Sequence, residues 1–193
     1  MAHYVFLHGA NSSSNSFNYV ISQLQLNTKD FTKIDYKSSD GFYFNLENMM
    51  KKLSNKDKLF MVGHSLGGIY ALHLSTLVDV VAGITIGTPF SGSSLADWAR
   101  FMIPNYQLFR DVGRNSHPII MGKEININVP WTQLISTKGR VPWMLADNDG
   151  VVTIRSQKSR NDMTHIELPY NHYEIMCAPE TPSIIQKLHK QIS

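Results

Sequence analysis

The chain has 193 residues, 42% hydrophobic and 17% charged, with 18 Lys and Arg against 15 Asp and Glu for a formal net charge of +3. That length fits one domain, residues 1–193, burying roughly 70% of the surface its unfolded form would expose. The charge is too mild and too scattered for a nucleic-acid-binding arm, no apolar run approaches the ~18 residues of a membrane span, and the single cysteine, Cys177, excludes an internal disulfide.

The N-terminus, MAHYVFLHG, lacks a basic region and a long apolar stretch, so it does not read as a signal peptide. The expectation is a cytoplasmic protein, or else the mature form of an exported one. His3 to His8 is an apolar run of strand length. Ser16 to Leu26 carries Phe17, Val20, Ile21 and Leu24 at helical spacing. Phe31 to Tyr36 alternates and predicts a strand. Phe42 to Leu53 places Leu46, Met49, Met50 and Leu53 on one helix face. Leu59 to Gly63 predicts a strand, Ser65 to Leu77 a helix and Val80 to Gly87 a buried strand. Thr88 to Pro130 is irregular, apart from a helix around Trp98, Phe101, Met102 and Ile103 that stops before Pro104. Trp131 to Thr137 and Thr164 to Leu168 predict the last strands, and Ser183 to Ile192 a closing helix. Strands alternating with helices predict an α/β fold: a mostly parallel sheet of about six strands with helices on both faces.

Gly63-His64-Ser65-Leu66-Gly67 has the form G-x-S-x-G and sits between an apolar strand and a helix. That frame pushes a serine hydroxyl out above the sheet, and a Cβ at Gly63 or Gly67 would strike the neighbouring strand or helix. A serine N-cap on a tight connection would use the same residues for stability alone. The strand–turn–helix setting favours Ser65 as a nucleophile. In such a fold the Leu66 amide and an amide after the first strand face the developing oxyanion; Ala10, following His8-Gly9, is the candidate for the second.

Position selects the base. His3, His8 and His64 precede the serine, and His73 and His189 lie within helices. Of His117, His165 and His172, His165 falls inside the last strand. His172 falls on a loop just beyond it, able to swing over Ser65. For the acid, Asp147 and Asp149 share one turn-like segment and pattern does not separate them. Asp111 and Asp162 are weaker candidates. No H-E-x-x-H or comparable spacing points to a metal.

These segments resemble bacterial lipases and esterases of the α/β-hydrolase family, in their minimal, triacylglycerol-lipase-like form. The resemblance rests on VFLHGA (5–10), VGHSLGG (62–68), ITIGTPFSGS (84–93), NDGVV (148–152) and NHYEI (171–175). It implies that the acid is Asp149, that no cofactor is required, and that the substrate is a small carboxylic ester with a short to medium acyl chain. A thioesterase, acyltransferase or peptidase using the same triad is the alternative, followed by a non-catalytic binding protein. Phe90, Trp98, Phe101 and Met102 are the expected acyl-pocket residues. The stretch 91–130 is too short for a large cap domain.

Overall fold

The computed structural model describes residues 1–93, 107–139, 141, 144 and 146–192. Strands β1 (His3–Leu7), β2 (Phe31–Ile34), β3 (Leu59–His64), β4 (Val80–Ile86), β5 (Trp131–Ser136) and β6 (Thr164–Leu168) form one sheet in the order β2-β1-β3-β4-β5-β6. Every pairing is parallel. Parallel strands need crossovers, and the helices that supply them cover both faces. Among the described residues the helices are α1 (Asn18–Gln23), α2 (Phe42–Leu53), α3 (Leu66–Leu74), α4 (Gln107–Val112), α5 (His117–Glu124) and α6 (Ile154–Gln157) between strands, and α7 (Glu180–Gln191) after the last strand.

Strand periodicity divides the core in two. On β1, Val5 and Leu7 face one cluster, and Tyr4 and Phe6 the other; β3 repeats this with Leu59 and Met61 against Phe60 and Val62. The first cluster takes Phe42, Leu46, Met49 and Leu53 from α2 and Ile69, Tyr70 and Leu72 from α3. The second takes Val20 from α1 and Ile185 from α7. Each such side chain contributes about 1.5–3 kcal/mol when fully buried. Every residue of α3 is buried, which explains its lack of a polar face: sheet on one side, α2 and α5 on the other.

Several boundaries differ from the sequence expectation. The first helix opens as a 3-10 turn (Ser14–Phe17), anchored where the Asp35 carboxylate accepts hydrogen bonds from the Ser14 amide and hydroxyl. Strand β2 stops at Ile34, because Asp35 is engaged there and Tyr36 stacks on His8. Helix α7 begins at Glu180, three residues early, since Pro182 in a first turn forfeits no intrahelical bond. The irregular region contains α4 and α5. Asp111 on α4 accepts a hydrogen bond from the Phe42 amide at the start of α2, and Pro118 opens α5. The helix expected around Trp98 lies outside the described residues.

The sheet reverses its winding at β1: one connection leads outward to β2, the next back across to β3. Ligands in open parallel sheets bind at the carboxyl ends of the strands beside such a reversal. There the end of β1 and the first turn of α3 approach unusually closely. A Cβ on Gly67 would lie 2.0 Å from the Leu7 carbonyl oxygen and 2.5 Å from that of His8. A Cβ on Gly63 would lie 2.7 Å from the Gly67 carbonyl oxygen and the Gly68 backbone. Gly67→Ala is therefore expected to cost at least the 1–3 kcal/mol typical of overpacking (roughly, since backbone must move), read as a marked fall in Tm. A melting curve superimposable on wild type would show that the β1–α3 contact has slack.

Candidate active site

Ser65 occupies the turn between β3 and α3 with φ 52° and ψ −120°, a backbone conformation that L residues rarely adopt. Such strain costs on the order of 1–3 kcal/mol and persists only where the surroundings fix it. Here the Ser65 amide donates to the Ile86 carbonyl at 2.9 Å, tying the turn to β4. Leu66 opens α3, so its amide has no intrahelical acceptor and lies at the positive end of the helix dipole.

The loop after β1 lies against this turn. A Cβ on Gly9 would sit 3.3 Å from the Ser65 Cβ and 2.9 Å from His64 Nδ1. His8, 1% exposed, sets the loop's direction. Its Nε2 accepts from the Tyr36 amide at 3.3 Å, which makes Nδ1 the protonated nitrogen, and Nδ1 donates to the Gly9 carbonyl at 2.7 Å. Burial lowers the His8 pKa against the opposing pull of Gly9 and Asp35, in keeping with a neutral ring. In a trans peptide the N–H leaves the edge opposite the C=O, so holding the Gly9 carbonyl on the His8 side turns the Ala10 N–H away from it.

His172 and Asp149 come from loops after β6 and β5. His172 Nδ1 lies 2.7 Å from Asp149 Oδ2, and the His172 amide donates to the Asp149 carbonyl at 3.0 Å. His172 is 2% exposed and Asp149 1%. Asp149 Oδ2 also accepts from Ser136 Oγ and, at 2.9 Å, from Gln157 Nε2. Its Oδ1 accepts from the amides of Val151 (2.9 Å) and Val152 (2.7 Å). Burial alone would raise the Asp149 pKa; the hydrogen bond and charge of His172, with the bonds from Ser136 and Val152, outweigh it and hold the carboxyl below its usual value. A carboxylate only accepts, so the imidazole proton lies on Nδ1 and leaves Nε2 with a free lone pair.

The His172 ring rests on Gly87 at the end of β4, where a Cβ would lie 3.2 Å from Nδ1; φ of +58° there also suits glycine. His64 links the two halves of the site. It adjoins Ser65 in sequence, its Nε2 bonds to the His172 carbonyl at 3.0 Å, and the two rings lie 4.9 Å apart. Burial, then the charge of His172, push the His64 pKa down to about 3, so it is a neutral donor. Ser65, Leu66, Ala10, His172 and Asp149 thus converge at the carboxyl end of the sheet, at the β1/β3 reversal.

The remaining candidates stand as follows. Asp147 is exposed. Asp111 serves the start of α2, and Asp162 pairs with Arg160. His117 bonds to the Tyr43 hydroxyl. His165 is on β6, as expected. Phe90 is 4% exposed in the core beneath the Arg160 guanidinium. Trp98, Phe101 and Met102 lie outside the described residues. Sequence reasoning missed His64, Ser136 and Gln157. For Ser136 there was a signal, a polar residue ending a buried strand; Gln157, on a one-turn helix, offered none.

The all-parallel six-stranded sheet, its strand order and the strained turn after β3 are those of the α/β-hydrolase fold, and solved structures share it. The Bacillus licheniformis lipase BlEst2 in its mature form superimposes with a TM-score of 0.62 at 22% identity, over 97% of this chain and 91% of that one. A lipase-esterase related protein from Clostridium acetobutylicum gives 0.65 at 12% identity, over 100% and 94%. Tomato methylketone synthase I, complexed with 2-tridecanone, gives 0.66 at 12% identity, over 100% and 99%. Residues 3–93 match a family described as uncharacterised, UPF0227. Saccharomyces cerevisiae triacylglycerol lipase 2 is 26% identical over 168 residues, covering 64% of this chain and 50% of the yeast protein. The chain thus spans about half the length of that curated relative.

Proposed function

We propose that the chain is a serine hydrolase that cleaves carboxylic esters through an acyl-enzyme. The observation that carries this reading is the bond between His172 Nδ1 and Asp149 Oδ2, on a residue whose backbone carbonyl accepts from His64 Nε2, the side chain of the residue before Ser65. His172 Nε2 takes the Ser65 hydroxyl proton as Oγ bonds to the ester carbonyl carbon, whose oxygen becomes an oxyanion. The amides of Leu66 and Ala10 stabilise that charge. The bond from carbon to the alcohol oxygen then breaks, and Nε2 passes its proton to the departing alcohol. Water, deprotonated by His172, releases the acid and restores Ser65. Asp149 fixes the tautomer and stabilises the imidazolium. The lipase and esterase relatives support an ester as substrate.

A matched panel of ester, thioester and anilide substrates, read alongside fluorophosphonate labelling, tests the reading. Turnover highest on the ester supports it; turnover confined to the thioester or the anilide replaces the substrate class. Among soluble esters, short to medium acyl chains are the expected substrates. Interfacial activation needs a sizeable amphipathic lid, and the sequence from 91 to 130 is too short for a large cap domain. The rate on p-nitrophenyl butyrate should therefore pass smoothly through its solubility limit. A sharp rise beyond that limit would overturn the expectation.

A further inference from the structure

Tyr173 is 68% exposed, the most exposed aromatic residue among those described, and it directly follows the proposed base. Its ring stands perpendicular to that of His172, with centroids 5.3 Å apart and planes at 89°, and lies 6.5 Å from His64. An aromatic side chain left in water gains nothing for the fold, yet its backbone is held firmly. The Tyr173 and Glu174 amides both donate to Asn171 Oδ1, at 2.9 and 2.8 Å, and the Asn171 amide donates to Glu174 Oε2. This reciprocal pair leads into a 3-10 turn (Glu174–Cys177) whose Ile175 and Met176 are buried. The ring is thus carried on a braced loop, at the rim of the site.

Its neighbour determines what it would meet. His172 Nδ1 is committed to Asp149, so Nε2 is the nitrogen that hands a proton to the leaving alcohol. The alcohol half of an ester must lie beside that nitrogen, whereas the acyl half lies toward Ser65 and the oxyanion amides. We infer that Tyr173 forms the alcohol-side wall of the cleft and gives a preference for esters of planar, apolar alcohols over small aliphatic ones. The inference rests on the proposed serine-esterase reading and adds the leaving-group class to it. A flat ring offers stacking or edge contact to a phenol-like alcohol and very little to ethanol.

The discriminating measurement holds the acyl group fixed. Phenyl butyrate and ethyl butyrate give the same acyl-enzyme, so any difference between them arises before it forms. Tyr173→Ala should lower kcat/KM for phenyl butyrate about three- to tenfold, the range aromatic contacts deliver. Ethyl butyrate should change by less than about twofold, and Tyr173→Phe, which keeps the ring, should behave as wild type on both. The rate of labelling by a small fluorophosphonate serves as control and should stay within about twofold in each variant. Equal losses on both esters, no loss on either, or a collapse of labelling in Tyr173→Ala would each overturn the inference. If wild type itself is not labelled at Ser65, the serine-hydrolase reading has failed and takes this inference with it.

Discussion

Ser65→Ala should abolish fluorophosphonate labelling and lower ester turnover by roughly four to six orders of magnitude, to whatever the oxyanion amides and binding alone provide. Ser65 sits in a turn held at φ 52° and ψ −120° by backbone contacts that do not involve its hydroxyl: the hydrogen bond from its own amide to the Ile86 carbonyl and the close packing of Gly63 and Gly67. Alanine removes only the hydroxyl and is no more strained there than serine, so the circular dichroism spectrum and Tm should stay close to wild type. Labelling that survives in the mutant and maps by mass spectrometry to another serine would remove Ser65 from the mechanism. Loss of labelling together with loss of the folded spectrum would call for Ser65→Cys, whose thiol keeps a reactive atom in the same place.

Asp149→Asn should cost about 10⁴ in kcat, while Asp147→Asn should stay within about twofold of wild type. Asp147 is exposed, whereas Asp149 is buried and accepts from His172, Ser136, Gln157 and two amides. An asparagine side chain has one acceptor oxygen instead of two. Its NH₂ must face a donor: the Val151 and Val152 amides, or Gln157, Ser136 and the His172 nitrogen. Either placement unsettles the imidazole tautomer. The same substitution carries a pH signature. The folded-state pKa of Asp149 is lowered from 3.8, so between that value and the folded one the unfolded chain binds more protons. The stabilisation from ionised Asp149 is therefore complete above about pH 4 and disappears as pH falls through the folded value. The Tm gap between wild type and Asp149→Asn should be widest near neutrality and should narrow on acidification below pH 4. A gap independent of pH, or equal activity losses at positions 147 and 149, would contradict the role given to this carboxylate.

Local pattern carried far in the strands. Apolar runs such as Leu59–Val62 and Val80–Ile86 need no partner to be recognised, since burial on both faces makes them continuous. The serine turn was equally legible, because its glycines answer to a collision local to one strand–turn–helix unit. Helix α5 escaped notice because its apolar face is thin: Ile119 is buried, but Ile120 and Met121 are 46% and 43% exposed, and Gly122 interrupts it. It is held by tertiary contacts, Gly122 against Leu72 and His73, and a bond from His73 Nε2 to the Pro118 carbonyl. The start of α7 was read three residues late, because the apolar spacing begins only at Ile184 and the first turn, with Pro182 in it, carries no periodic signal.

The sequence by itself determined the alternation of strands and helices, the position of the strained serine between two glycines, and a histidine placed on a loop beyond the last strand. Each follows from interactions spanning a few residues, which periodicity and steric size encode directly. Residue pattern left Asp147 and Asp149 open and only the family resemblance favoured Asp149; the tertiary structure brings Asp149, and not Asp147, to His172, for two carboxylates in one turn differ only in which way the chain faces. It also decided that Ser136 and Gln157 brace that carboxylate, that His64 ties the serine turn to the histidine loop, and that His8 orients the Gly9–Ala10 peptide. These partners are separated by up to 108 positions in the chain. They meet because a parallel sheet gathers the carboxyl ends of all its strands along one edge, and no local pattern records that convergence.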